Sequence, residues 1–277
     1  MNGIVATEQV AGAGALTYWT LSGDLDPSAL AEGWEDAGLE ESRLPSPPSA
    51  AAALARAVRE QQSRHRLVRK TRDGFAIVAE KVAGNDLDYG VELRVSLDVA
   101  GRVVGEPASH IGVKEVDAAY GRHLEICTAE DIGGWLCRLV REHDGVALRD
   151  TGGFYYVPPA KLEAWRQATR LLSAVSRHKV YLVPAMRSED AVEAILAAVQ
   201  AEAEAEAAAV EKELEGDSLG ERALSTREGR LQEVEAKVGR YEALLGVTLD
   251  RFRGRLKVLQ AGVSAAMLRA MAADAAE

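Results

Sequence analysis

The stretch EDAVEAILAAVQAEAEAEAAAVEKELEGD, residues 189–217, decides how this chain is read. It carries ten carboxylates and one lysine among alanines, while Val192, Ile195, Leu196, Val199, Val210 and Leu214 recur at helical steps. That spacing predicts an amphipathic helix with one apolar stripe, in a sequence rich in the best helix former. From Glu189 to Glu215 such a helix is about 40 Å long. An apolar stripe of that length needs a partner.

The partner follows directly. Beyond Gly216-Asp-Ser-Leu-Gly220, the hydrophobes Leu231, Val234, Val238, Tyr241, Leu245, Leu249, Phe252, Leu256, Leu259 and Val263 keep a three-and-four spacing over about five heptads. Ser225 or Thr226 is the expected start, with Glu228 at the reciprocal capping-box position of Ser225. Unbroken to about Ala272, this second arm spans about 70 Å and outruns the first. Residues 188–277 therefore read as a long antiparallel helical hairpin, coiled-coil-like. Its helical interface is expected at Val192, Leu196, Val199, Val210, Leu214, Leu231, Val234, Val238, Tyr241, Leu245, Phe252, Leu256, Leu259 and Val263.

Charge supports the pairing. Arg222, Arg227, Arg230, Lys237, Arg240, Arg251, Arg253, Arg255 and Lys257 lie on the second arm and can face the carboxylates of the first. Each exposed pair adds only about 0.5 kcal/mol, so charge sets register more than strength. Gly229, Gly239, Gly246 and Gly254 lower helix propensity, and a kink is expected around Gly246-Val247-Thr248.

Upstream, the periodicity alternates between strand and helix. Leu16–Leu21 reads as a strand, Asp26-Pro27 as the start of a helix closed by Gly38, and Ser49 as the cap of an alanine-rich helix. Residues 66–82 read as a hairpin turned by Asp73-Gly74, with further strands at Tyr89–Leu97 and Arg102–Val104. A helical pattern from Val116, a capping signature at Thr128–Asp131 and a hairpin over Val146–Val157 tipped by Gly152-Gly153 follow. Helix then glycine-tipped hairpin is the order of a winged-helix-like unit over 116–157. Pro158-Pro159 opens a helix to about Val175, and His178–Val183 returns as a strand. The fold class is therefore α+β: a head with a mixed or antiparallel sheet, followed by the C-terminal hairpin. The expected divisions are an N-terminal segment 1–65, a main head 66–187 and a helical stalk 188–277.

The formal charge of −10 disfavours bulk attraction to polyanions and anionic membranes, although local patches can differ. Residues 1–10 show neither a basic n-region nor a signal-like apolar run, and no stretch approaches eighteen apolar residues, so a cytoplasmic protein off the membrane is expected. Cys127 and Cys137 lie ten apart with no CxxC, which indicates neither a disulfide framework nor structural zinc.

One cluster stands out chemically. Arg56, Arg59, Arg64, Arg66, Arg69, Lys70 and Arg72 would present a phosphate-contacting surface, with Phe75, Tyr89 or Tyr155 available to stack on bases. The competing reading pairs these cations with internal carboxylates. His123 and Cys127 have metal-ligand spacing, but the helix start at Thr128 separates them from Cys137 and His143, so no metal or other cofactor is expected. Ser109-His110 and Cys127 lack partners at catalytic spacing. The leading expectation is a non-catalytic assembly or adaptor-like protein that self-associates or binds another protein through its C-terminal helices. The alternatives are a nucleic-acid-binding protein using residues 56–72, on single- or double-stranded ligands, and an enzyme with a dispersed site.

Overall fold

The computed structural model describes residues 13–63, 65–83, 86–186, 188–214 and 221–274. A mixed α+β domain with two antiparallel sheets is followed by C-terminal helices that pack against each other. Among the described residues, those within Met1–Trp19, Cys137–Arg166 and Val180–Glu277 form one compact unit, and those within Thr20–Leu136 and Gln167–Lys179 form another.

The first unit is built on strands β1 (Ala15–Thr20), β6 (Val146–Ala147), β7 (Phe154–Val157) and β8 (Lys179–Pro184), in the order β6-β7-β1-β8. β7 runs antiparallel to β1, with Ala15 opposite Val157 and Tyr18 opposite Phe154. β8 is also antiparallel to β1, since the Ala185 N–H donates to the Gly14 carbonyl while Tyr181 stacks on Tyr18. The glycine-tipped hairpin therefore belongs to a larger sheet in which β7 is an inner strand. Alternation sends Thr17 and Tyr155 to one face, where the Trp165 indole donates to Thr17 Oγ1 at 3.2 Å.

The C-terminal helices belong to this unit: α6 (Glu189–Leu214), α7 (Glu221–Leu245) and α8 (Asp250–Asp274). Ser188 Oγ accepts the Ala191 N–H and caps α6, while Glu189 and Asp190 occupy its favourable first turn. Ile195, Val199, Ala203, Ala207 and Val210 pack against Leu231, Val238, Tyr241, Phe252, Leu256, Leu259 and Val263 in one core. Small residues at Ala203 and Ala207 let the helices approach closely. The carboxylates of α6 meet the opposing cations: Lys237 reaches Glu202 at 2.7 Å, Arg230 reaches Glu206 at 2.6 Å and Arg255 reaches Glu211 at 2.8 Å.

Two details differ from the sequence reading. α7 begins at Glu221, so Ser225 lies inside the helix and caps nothing. The earlier start buries Leu224, worth about 2 kcal/mol, more than a capping box returns. The long second arm is also two helices. Gly246 takes a left-handed φ of 72°, Glu242 accepts the Leu249 N–H at 2.6 Å and pairs with Arg253, and α8 runs back along α7. Gln260 meeting Glu235 at 2.9 Å fixes that antiparallel register. The surplus length is absorbed as a third helix.

The second unit contains the meander β2 (Arg66–Lys70), β3 (Gly74–Ala83), β4 (Asp86–Leu97) and β5 (Val103–Glu106). Helices α2 (Ala50–Arg59) and α3 (Ile111–Glu125) cover one face, burying Ala53, Leu54, Ala57 and Val58 with Ile77, Leu93, Val95 and Val116. α3 starts five residues before Val116 because His110 Nδ1 accepts the Gly112 N–H, a histidine cap that the composition did not advertise. Helices α1 (Ser28–Asp36), α4 (Ala129–Glu142) and α5 (Pro159–Val175) complete the α+β domain. α4 begins at the expected Thr128–Asp131 cap, with the Thr128 N–H on Asp131 Oδ2 at 2.8 Å.

Candidate functional site

The basic cluster expected over 56–72 is divided by the fold. Arg56 donates to Asp131 at 2.6 Å, and Arg66 makes a two-pronged contact with Glu92 at 3.0 and 2.6 Å. Burial pushes the Asp131 carboxyl up, but the Arg56 guanidinium and the Thr128 donors outweigh it and hold the group below its usual range. Glu92 stands where the β3–β4 register shifts, and the His110 ring meets it at 3.2 Å. Arg59, Arg69, Lys70 and Arg72 stay exposed, the last three at the β2–β3 hairpin, and Arg64 lies outside the described residues. Of the proposed stacking rings near the cluster, Phe75 packs toward the α2–α3 core and Tyr89 is exposed.

The other singled-out groups have structural partners. His123 meets Glu60 at 2.7 Å, and Cys127 is buried beside the Ser46 carbonyl, its thiol pushed up to about 11 by burial and by Asp131. Cys137 accepts the Tyr155 hydroxyl at 3.2 Å, and burial together with that contact pushes Tyr155 up to about 12. Among the described residues, no group of three or more His, Cys, Asp or Glu side chains is placed to hold a metal ion. No helix among them is long and apolar enough to cross a membrane. Most of the helical interface residues expected over Val192–Val263 form or flank the core of the α6–α8 bundle within this one chain.

The first unit presents a surface of which the sequence reading named only the Gly152-Gly153 hairpin and Tyr155. Only 5% of the chain is aromatic, yet β1, β7 and β8 carry six such residues: Tyr18, Trp19, Phe154, Tyr155, Tyr156 and Tyr181. Alternation divides them. Trp19 and Tyr155 stack at 5.3 Å near Trp165, while Tyr156 and Leu16 pack into the core shared with α6–α8. Tyr18, Phe154 and Tyr181 are left on the uncovered end of that second face. Tyr18 stacks on Tyr181 at 4.8 Å and lies 6.5 Å from Phe154. Tyr18 and Tyr181 remain 40% and 38% exposed, and Val183 beside them 45%.

The hairpin tip adds a cavity of about 430 Å³ lined by Tyr18, Trp19, Arg149, Gly152, Gly153 and Phe154. Gly152 and Gly153 have φ of 78° and 38°, conformations that side chains resist. A Cβ on Gly152 would overlap the Arg149 guanidinium, and one on Gly153 would sit 3.1 Å from the Trp19 indole. Arg149 Nε donates to the Gly152 carbonyl at 2.9 Å, holding the guanidinium at the tip. Planar rings, one oriented cation and backbone without side chains are what a flat, hydrogen-bonding ligand requires.

A family model matches residues 13–276, nearly the whole chain. The chain belongs to DUF6744, a family of unknown function. Comparison with curated proteins and with solved structures gives no match. For this DUF6744 member, Tyr18 and Tyr181 were visible as strand residues. The open end of their face depends on where the helices settle, which strand periodicity does not encode.

Proposed function

We propose that this DUF6744 protein binds single-stranded nucleic acid on the aromatic end of the β6-β7-β1-β8 sheet. The observation that carries the reading is the row of exposed Tyr181 and Tyr18 and half-buried Phe154 on neighbouring strands, with Arg149 at its edge. Unpaired bases stack on such rings, each worth about 1–3 kcal/mol, whereas the bases of a duplex are already stacked on one another. The formal charge of −10 makes phosphate attraction a poor source of affinity, so stacking must supply it. Salt dependence should then be shallow.

Fluorescence anisotropy with a labelled thymidine 12-mer at about 50 mM salt tests this. Tyr18→Ala and Tyr181→Ala should each weaken binding by about 5- to 100-fold, and a duplex of equal length should bind more weakly than the single strand. Neutralising Arg69, Lys70 and Arg72 together should cost less than Tyr18→Ala. Absence of binding, or variants that bind like the wild type with unchanged circular dichroism, would reject the reading.

A specific observation favours one second reading, assembly through the C-terminal helices. α8 leaves Val258 72% and Leu268 70% exposed, apolar side chains that a second copy of the chain would cover. Light scattering on the intact protein and on Val258→Glu with Leu268→Glu tests it, and a wild-type monomer at high concentration would dismiss it.

A further inference from the structure

Building on single-strand binding at the aromatic face, we infer that the cavity at the β6–β7 tip is a subsite for one guanine base. Its volume of about 430 Å³ is within the range of sites for small planar ligands. Tyr18, Phe154 and Trp19 supply ring surfaces, and Arg149 supplies hydrogen-bond donors along one wall. The Arg149 Nε is occupied by the Gly152 carbonyl, which fixes the guanidinium in the cavity wall. Its two terminal nitrogens have no partner among the described residues.

Two adjacent donors on a planar fork match the O6 and N7 acceptors of guanine. Adenine offers a donor at N6 beside its N7 acceptor, so one of the two hydrogen bonds becomes a donor facing a donor. Cytosine also carries adjacent acceptors, but its single ring covers less of Tyr18 and Phe154. Asp150 follows Arg149 in the chain, which weakens the pull on an anionic phosphate more than on a neutral base edge. The glycines are part of the recognition, because a side chain at 152 would displace the guanidinium.

The test uses the full chain and four labelled heptamers, thymidine tracts with G, A, C or T at the centre, together with the matching RNA and free GMP as competitor. The G heptamer should bind about 5- to 100-fold more tightly than the A heptamer. Arg149→Lys, which keeps the charge but loses the two-pronged geometry, should bring the G to A ratio toward one. Tyr18→Ala should weaken all four heptamers and preserve more of that ratio. Equal binding of the four heptamers, tighter binding of the C heptamer, or a G preference that survives Arg149→Lys overturns the guanine subsite while leaving single-strand binding intact. Absence of binding to every heptamer removes the broader reading itself. GMP competing as strongly as the G heptamer supports the subsite and identifies a free nucleotide as its source.

Discussion

Replacing Gly246 by alanine gives opposite signs for a helix that turns back and one that runs on. Gly246 sits at φ 72° between α7 and α8, and a Cβ there would meet nothing within 4 Å. The cost of alanine is therefore conformational alone, about 1–2 kcal/mol for a left-handed residue. In an uninterrupted α7–α8 helix the same substitution would stabilise by about 1 kcal/mol. Gly229 and Gly254 provide internal references, because they lie within α7 and α8, have ordinary φ and also face open space. Gly229→Ala and Gly254→Ala should each raise stability by up to about 1 kcal/mol, placing them about 2–3 kcal/mol above Gly246→Ala. Urea unfolding followed by helical circular dichroism measures the three midpoints. If Gly246→Ala moves the midpoint upward with the other two, the reversal at 246–249 is wrong.

Other substitutions and conditions probe the rest of the fold. Arg56→Ala leaves the half-buried Asp131 carboxylate without its guanidinium, and should cost about 2 kcal/mol, between an exposed and a fully buried pair; a loss under about 0.5 kcal/mol would show the contact to be incidental. His178 is buried with Nδ1 accepting the Ser22 N–H at 3.2 Å, and burial holds its pKa below the ordinary 6.5. The unfolded chain then gains a proton first, so stability should fall as pH drops through about 6.5 and continue falling to the lower folded value. His178→Asn should flatten that part of the urea-midpoint profile, and an unchanged slope between pH 7.5 and 5.5 would refute the assignment. Cys127, buried and with its thiol raised to about 11, should react with a disulfide reagent only after unfolding. Native-state labelling of Cys127, identified by peptide mapping, would contradict its placement.

Much of the architecture was readable because local chemistry and burial agree. Ser49, Thr128 and Ser188 stand at helix starts where their side chains accept or exchange hydrogen bonds, and Asp73-Gly74 turns a hairpin whose strands pair antiparallel from Arg66 opposite Ala79 to Lys70 opposite Phe75. The carboxylates of α6 found the arginines and lysine of the following helices, since charges of opposite sign at matching steps permit one register. Where the reading missed, non-local burial outweighed a local signal. Leu224 drew the start of α7 back past Ser225, and Phe252, Leu256, Leu259 and Val263 gained more by folding onto the bundle than by extending from it. The basic run 56–72 read as one patch because sequence neighbours look like spatial neighbours. In the fold Asp131 takes Arg56 and Glu92 takes Arg66, carboxylates 75 and 26 residues away.

The amino-acid order by itself determined the elements, their caps and turns, the α+β class and the pairing of an acidic helix with a basic one, because each depends on contacts a few residues apart or on a periodic face. Tertiary structure decided that the second arm reverses at Gly246, and that the tyrosines of β1 and β8 stay uncovered while Tyr155 and Tyr156 are buried. Tyr18 and Tyr156 share one face of the sheet, and the C-terminal helices cover only the end that holds Tyr156. Which end remains open is therefore settled by the order of the strands and the placement of the helices, not by the tyrosines themselves.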